Sequence, residues 1–237
     1  MFALLPVVLL AASPALHCPD GFEPVGTEAC LVAQRPLSSG KVVVYLHGML
    51  AANADWANTQ EFQVLGAEAK RRGYVLIAIR GEAGLCYWGK EVKDYYCWPS
   101  DRSMQVETNR TLKRLDEVVA RVSDRLGARI EAPFLAGFSN GGFFLSMLVS
   151  ETRTAARGYA VLHAGGVTGQ QFAPERARPT ILLAARGDVI QLPTMRRLEQ
   201  ILGEAGWKPT FSVREGPHEV NAVDAKAMFE FFDSLNP

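Results

Sequence analysis

The run Gly137-Phe138-Ser139-Asn140-Gly141, followed by Gly142, sets a serine between glycines. A serine hydroxyl does chemistry only with a base to take its proton and N–H donors to meet the charge that develops on a substrate oxygen. The flanking sequence suits both needs. Phe134 to Phe138 is an apolar run that reads as a strand, and Gly141 to Ser150 reads as a helix. A serine at that junction sits on a strained turn, with its hydroxyl lifted clear of the sheet. The glycines remove side chains that would clash there. The helix N-terminus behind it offers N–H groups without intrahelical acceptors. A plain glycine-rich turn is the competing reading. The strand before and the helix after favour Ser139 as nucleophile.

The other parts of such a site can be sought in turn. Leu46-His47-Gly48-Met49 ends an apolar strand, and its turn can bring backbone N–H groups toward the serine. The N–H groups of Met49 and Asn140 are the candidate oxyanion donors. His47 itself is assigned a structural hydrogen bond that pins the turn. The chain has four histidines. His17 lies at the expected signal-peptide cleavage site, and His163 ends a strand and reads as a core or rim residue. His218, in Glu215-Gly216-Pro217-His218-Glu219 after the last strand, is the candidate base. Asp188 follows the apolar run Ile181 to Ala185 and is the candidate acid that orients it. Its competing reading is a turn or helix-capping aspartate, with Glu215, Glu219 and Asp224 as the other candidate acids.

These residues need a frame. Apolar runs alternate with amphipathic stretches, the pattern of βαβ units and a mostly parallel sheet. Strands are expected at Val42–Leu46, Tyr74–Ile79, Phe134–Phe138, Ala160–His163, Thr180–Ala185 and Thr210–Val213, with one or two edge strands between Asp20 and Leu37. Helices are expected at Gln60–Arg72, Met104–Leu126, Gly141–Ser150, Thr194–Ala205 and Ala222–Leu235. There is no internal repeat. The length suits one domain, residues 16–237. Lys and Arg (25) balance Asp and Glu (25), and no basic stripe is evident. That speaks against a nucleic-acid or anionic-membrane partner.

Strand, His47-Gly48, a long loop, Gly137-x-Ser139-x-Gly141-Gly142, then Asp188 and Gly216-Pro217-His218 together resemble an α/β-hydrolase over most of the chain. The order nucleophile, acid, histidine is that of the superfamily. With Cys97-Trp98, the pattern is similar to exported esterases related to polyhydroxybutyrate depolymerases and feruloyl esterases. The resemblance implies an α/β-hydrolase fold with helices on both faces of the sheet. It also implies a carboxylic-ester hydrolase that works through an acyl-enzyme, with no metal or organic cofactor, on a small or polymeric acyl ester. The stretch Ala164 to Pro179 is too short for a large lid domain. The same machinery could act on an amide or peptide bond, and an idle hydrolase fold used for binding is the reading from another class.

Residues 1–15 are apolar up to Ala12 and end Ser13-Pro14-Ala15, which reads as a signal peptide cleaved after Ala15. Lipidation at Cys18 is the less favoured reading. With the signal removed no membrane segment is expected, and the protein is secreted or periplasmic. The four cysteines, Cys18, Cys30, Cys86 and Cys97, fall into two local pairs and suit disulfides in an exported protein. Cys18–Cys30 and Cys86–Cys97 is the natural pairing among three connectivities. No Cys-x-x-Cys occurs, so a metal site is not favoured. The loop Arg80 to Ser103 leaves the C-terminal end of a strand, where open parallel sheets bind ligands. It carries Tyr87, Trp88, Tyr95, Tyr96 and Trp98. Trp88, Tyr95, Tyr96 and Trp98 are the candidates for a pocket wall. The alternative is a surface flap whose aromatics form a small satellite core.

Overall fold

Strands that are apolar at every position must be covered on both sides. The computed structural model describes residues 16–33, 40–54, 56, 59–151, 153–166 and 170–236. Among them run β1 (Glu23–Val25), β2 (Ala29–Val32), β3 (Val42–Leu46), α1 (Gln60–Arg72), β4 (Val75–Ile79), β5 (Glu82–Ala83) and β6 (Tyr96–Cys97). Then follow α2 (Gln105–Leu126), β7 (Phe134–Phe138), α3 (Asn140–Ser150), β8 (Tyr159–Leu162), β9 (Thr180–Ala185), α4 (Gln191–Glu204), β10 (Thr210–Arg214) and α5 (Ala222–Ser234). The expected signal peptide, residues 1–15, lies outside the described residues.

The main sheet has eight strands in the order β1-β2-β4-β3-β7-β8-β9-β10. The six expected core strands form its parallel block. β2 joins that block antiparallel on β4, and β1 pairs antiparallel with β2, so the region after Asp20 supplies two edge strands. Alternate residues of each strand face opposite cores. Val42, Val44 and Leu46 meet the layer built by α2, α3 and α4, around Val118, Phe144 and Leu198. Val43 and Tyr45 meet α1 and α5, around Phe62, Leu65, Phe229 and Phe232. This two-sided burial is the physical reason the strands read as continuous apolar runs. It is also why helices cover both faces of the sheet.

β3 lies at the centre and pairs with β4 on one side and β7 on the other. The chain therefore builds outward in one direction, returns, and builds outward in the other. The loops after β3 and β7 diverge at that switch and leave a crevice at the C-terminal end of the sheet, where such folds bind ligands. Met49 follows β3 and Ser139 follows β7, so both stand at the crevice.

Helix ends mostly follow the sequence signals. Gly73 and Gly127 close α1 and α2 in the left-handed region, at φ +71° and +64°. The helix expected to begin at Thr194 instead begins at Gln191 and contains Pro193. A proline in the first helical turn lacks only an N–H that would have no partner anyway, so it does not delay the start.

The stretch 80–103 is not wholly irregular. β5 and β6 form a two-stranded ribbon, clasped by a Cys86–Cys97 disulfide. A second disulfide, Cys18–Cys30, ties the described N-terminal residues to β2. Leu50 and Tyr96 exchange backbone hydrogen bonds of 3.2 and 2.8 Å, which fasten the ribbon to the turn after β3. The connection from β8 to β9 carries only a short 3-10 turn, Pro174–Arg176, among its described residues.

Candidate active site

Ser139 adopts φ +49°, ψ −118°. A non-glycine residue held there costs on the order of 1–3 kcal/mol and needs its surroundings to enforce it. They do. Its N–H donates to Leu162 O of the neighbouring strand β8 at 2.9 Å, and its own carbonyl accepts from Phe143 N–H at 2.9 Å. The glycines are required by contact. A Cβ on Gly137 would lie 2.5 Å from Gly141 O, and one on Gly141 would lie 2.2 Å from Leu46 O. The helix α3 can therefore start tight against the ends of β3 and β7, which is what presents the Ser139 hydroxyl.

On the β3 side, the turn His47-Gly48-Met49 is held by neutral hydrogen bonds. The carbonyl of His47 accepts from Gly141 N–H at 3.1 Å and from the Trp98 indole N–H at 2.9 Å. The buried His47 ring bonds at both nitrogens: Nε2 accepts from Gly81 N–H at 2.8 Å and Nδ1 donates to Gly48 O. Burial pulls its pKa down to about 3, aided by the Arg114 and Arg80 charges. His47 is thus a neutral brace for the turn. Asn140 opens α3, where backbone N–H groups have no intrahelical acceptor. Its side chain is buried. Oδ1 accepts from Trp98 N–H at 2.6 Å, and Nδ2 donates to Ser100 Oγ at 2.8 Å and to Trp98 O at 3.3 Å. This asparagine clamps the aromatic loop to the serine turn.

On the other side, His218 Nε2 lies 2.9 Å from Ser139 Oγ, and His218 Nδ1 lies 2.6 Å from Asp188 Oδ2. Three residues far apart in sequence thus form one hydrogen-bonded line. Asp188 is buried, and its second oxygen, Oδ1, accepts from Gln191 N–H at 3.2 Å at the start of α4. The capping reading and the orienting reading are therefore both satisfied, one per oxygen. The carboxylate is held at two points and aims at the histidine. Glu215 pairs with Arg186 at the surface, and Asp224 pairs with Arg214.

His163 was not expected here. It is fully buried just beyond β8, at φ +49°, with its Nδ1 3.6 Å from Asp188 Oδ2. The sequence pattern carries no sign of this, because the approach needs β8 and β9 side by side and a positive-φ turn after β8. His163, Asp188 and His218 bring three possible metal-ligating atoms within 4.8 Å of one another. The Asp188–His218 separation is that of a hydrogen bond. It is shorter than the roughly 3.3 Å expected between neighbouring ligands at about 2.0 Å on a tetrahedral ion.

A cleft of about 570 Å³ opens over Ser139 and His218. Met49 borders it on the β3 side. Tyr87, Trp88 and Phe143 form an aromatic wall, and Ile190, Gln191 and Thr194 at the start of α4 form the wall opposite. The loop aromatics divide. Trp88 lines the cleft together with Tyr87, and the two are 42% and 48% exposed. Tyr95, Tyr96 and Trp98 do not line it, which corrects the pocket assignment. Tyr95 packs into a satellite cluster with Leu85, Cys86 and Cys97. Tyr96 lies beneath the Arg80 guanidinium at 4.7 Å. Trp98 is fully buried and stacks on Phe144 at 5.9 Å. The physical reason is the ribbon: pairing of β5 with β6 holds residues 95–98 at its packed base, with Cys97 and Trp98 buried, and leaves 87 and 88 at its exposed bend. A second groove, about 560 Å³, lies between α2 and the sheet. Its floor is aliphatic, with Val44, Leu46, Leu112 and Leu115, and it shares no residue with the cleft over Ser139.

No protein-family model matches the sequence, and no curated protein matches it. Solved structures do match in fold. A carboxylesterase from Bacillus cereus aligns with a TM-score of 0.62 at 16% identity, covering 87% of this chain and 94% of its own. A carboxylesterase from Mesorhizobium loti aligns with a TM-score of 0.60 at 19% identity, covering 96% and 100%. Esterase PE8 aligns with a TM-score of 0.60 at 15% identity, covering 86% and 97%. At such identities the likeness establishes the fold, and the fold is that of the α/β-hydrolases.

Proposed function

We propose that the protein is a serine carboxylic-ester hydrolase. The observation that carries this reading is the unbroken line Ser139 Oγ, His218, Asp188, with separations of 2.9 and 2.6 Å, at the floor of an open cleft. In this reading His218 Nε2 removes the Ser139 proton as Oγ attacks the ester carbonyl carbon. The carbonyl oxygen takes the negative charge and is met by the N–H groups of Met49 and Asn140. Collapse of the tetrahedral species expels the alcohol, to which His218 returns the proton. Water, activated by the same histidine, then attacks the acyl-enzyme and releases the acid and free Ser139. Asp188 keeps the proton of the neutral His218 on Nδ1 and stabilises the imidazolium when it forms.

The esterase identity of the structural neighbours favours an ester over an amide. The aromatic wall of Tyr87, Trp88 and Phe143 suits an apolar or aromatic acyl group. Two disulfides favour an oxidising compartment, and no helix among the described residues is long and apolar enough to cross a membrane. We place the mature protein outside the cytoplasm. The test is steady-state hydrolysis of matched p-nitrophenyl esters and p-nitroanilides of the same acids. Turnover of the esters, absent in Ser139→Ala, supports the reading. Turnover of anilides alone would reassign the enzyme to amide bonds, and no turnover of either by the folded parent would overturn it.

A further inference from the structure

Asp188 Oδ2 faces two histidines, and the mechanism above uses only one. The second, His163, is fully buried, and its Nδ1 has no hydrogen-bond partner. A buried polar nitrogen left unpaired is costly, and in a well-formed core it calls for an explanation. The other ring nitrogen supplies one. Nε2 lies 3.4 Å from Arg214 Nη2 and 3.4 Å from Asp224 Oδ2. Arg214 can only donate, and Nη2 carries a second hydrogen beside the one it gives to Glu219 O at 2.6 Å. Asp224 Oδ2 is already occupied, accepting from Arg214 Nε at 2.8 Å and from Asn221 N–H at 3.1 Å in the cap of α5. Nε2 is therefore best used as an acceptor from Arg214, which puts the ring proton on Nδ1. There it lies 3.6 Å from Asp188 Oδ2, with no other hydrogen-bond partner. The opposite tautomer would aim a bare lone pair at a carboxylate.

Resting on the reading of Ser139 and His218 given above, we propose that His163 is a positioning residue, a second N–H donor to Asp188. A separation of 3.6 Å is long for a hydrogen bond in the free protein, and such contacts tighten when substrate engages the site. His163 would then hold Asp188 from behind while Gln191 N–H holds its other oxygen, so that the carboxylate cannot swing away from His218. The donor also draws part of the Asp188 charge away from His218, and so limits how strongly the imidazolium is stabilised. The charged groups around this cluster are Asp188 after β9, Arg214 ending β10, His218 in the next loop and Asp224 of α5. Asp101 and Arg102 stand across the cleft, and the Arg186–Glu215 pair lies on the outer side of the same loops.

Two measurements test this. In ¹⁵N-edited spectra of the parent protein, His163 is expected to carry a proton on Nδ1; a bare Nδ1 with the proton on Nε2 would overturn the proposal without touching the ester-hydrolase reading. The second is the pH profile of ester hydrolysis. His163→Leu is expected to lower kcat about tenfold, a small part of the 10²–10⁴-fold that general acid–base catalysis supplies, with KM little changed. It is also expected to move the acid limb of kcat/KM to higher pH, because Asp188 then faces His218 with more of its charge. His163→Asn, whose amide can donate from nearly the same place and which tolerates the left-handed backbone, is expected to keep the parent's acid limb. A folded His163→Leu variant with an unmoved acid limb would reduce His163 to a packing residue. Should that variant not fold, the parent tautomer and the His163→Asn profile decide. Failure of Ser139-dependent hydrolysis in the parent would instead remove the reading beneath the proposal.

Discussion

The two sides of Ser139 are fixed by different physics. On the β3 side, His47, Gly48, Asn140 and Trp98 are locked by neutral hydrogen bonds among buried backbone and amide groups. Nothing there changes charge in the working range, since His47 is held neutral by burial. On the β9–β10 side, Asp188, His218, His163, Asp224 and Arg214 form a cluster of ionisable groups on loops and element ends. The first side suits a group that must stay still and present N–H dipoles. The second suits one that must take up and return a proton. The difference teaches that one sheet edge can carry both, provided the rigid half is built from backbone and the titrating half from charges that hold one another.

The largest expected effect breaks the charged side. Asp188→Asn keeps an acceptor for the start of α4 but loses the carboxylate, so His218 takes the wrong tautomer. kcat for ester hydrolysis is expected to fall about 10³–10⁴-fold with α4 and Tm nearly preserved, read by kinetics and circular dichroism together. A loss of folding instead would make Asp188 mainly a cap. Next, Asn140→Ala tests the neutral side. The backbone N–H remains, but three hydrogen bonds to the aromatic loop vanish. At about 1 kcal/mol each, Tm is expected to fall by roughly 6–12 °C, and kcat by about tenfold as the turns after β3 and β7 loosen.

A smaller effect separates cleft from support. Trp88→Ala is expected to raise KM for aromatic acyl esters about threefold to tenfold with Tm unchanged, since the ring is a partly exposed wall. Trp98→Ala should do the reverse, costing about 3–5 kcal/mol of stability. The smallest effect on hydrolysis concerns Glu61. It lies buried beside Tyr45, and burial pushes its pKa up to about 8; its Oε1 and the Tyr45 hydroxyl lack hydrogen-bond partners. A folded pKa raised above the unfolded value means stability fully present below about pH 4.5 and lost as pH rises through 8. Glu61→Gln is therefore expected to match the parent at pH 4 and to melt on the order of 10 °C higher at pH 9, without changing hydrolysis.

What could be read from the sequence follows from what is local. Gly137 to Gly142 states its own geometry, because the clashes that exclude a side chain occur within the turn and against the adjacent strand end. The parallel strands were legible because burial on both faces leaves no polar position to interrupt Val42–Leu46 or Thr180–Ala185. Asp188 and His218 could be placed by their position after successive strands, and the structure brings both to Ser139. His163 could not be placed beside Asp188, since that approach depends on β8 and β9 lying side by side and on a φ of +49° after β8. The aromatic loop misled for a related reason. Five aromatics in one loop look alike in composition, and only the β5–β6 pairing decides that 95–98 sit at the packed base while 87 and 88 face the cleft. The early start of α4 was hidden by Pro193, which reads as a breaker until it is seen in the first turn.

The most direct test of the central claim is reaction of the protein with a fluorophosphonate at neutral pH, followed by intact mass and peptide mapping. The account predicts a single adduct, carried by the peptide containing Ser139, and none on Ser139→Ala or on Asp188→Asn over the same time. A folded parent protein that remains unlabelled, or an adduct on a serine other than Ser139, would contradict it.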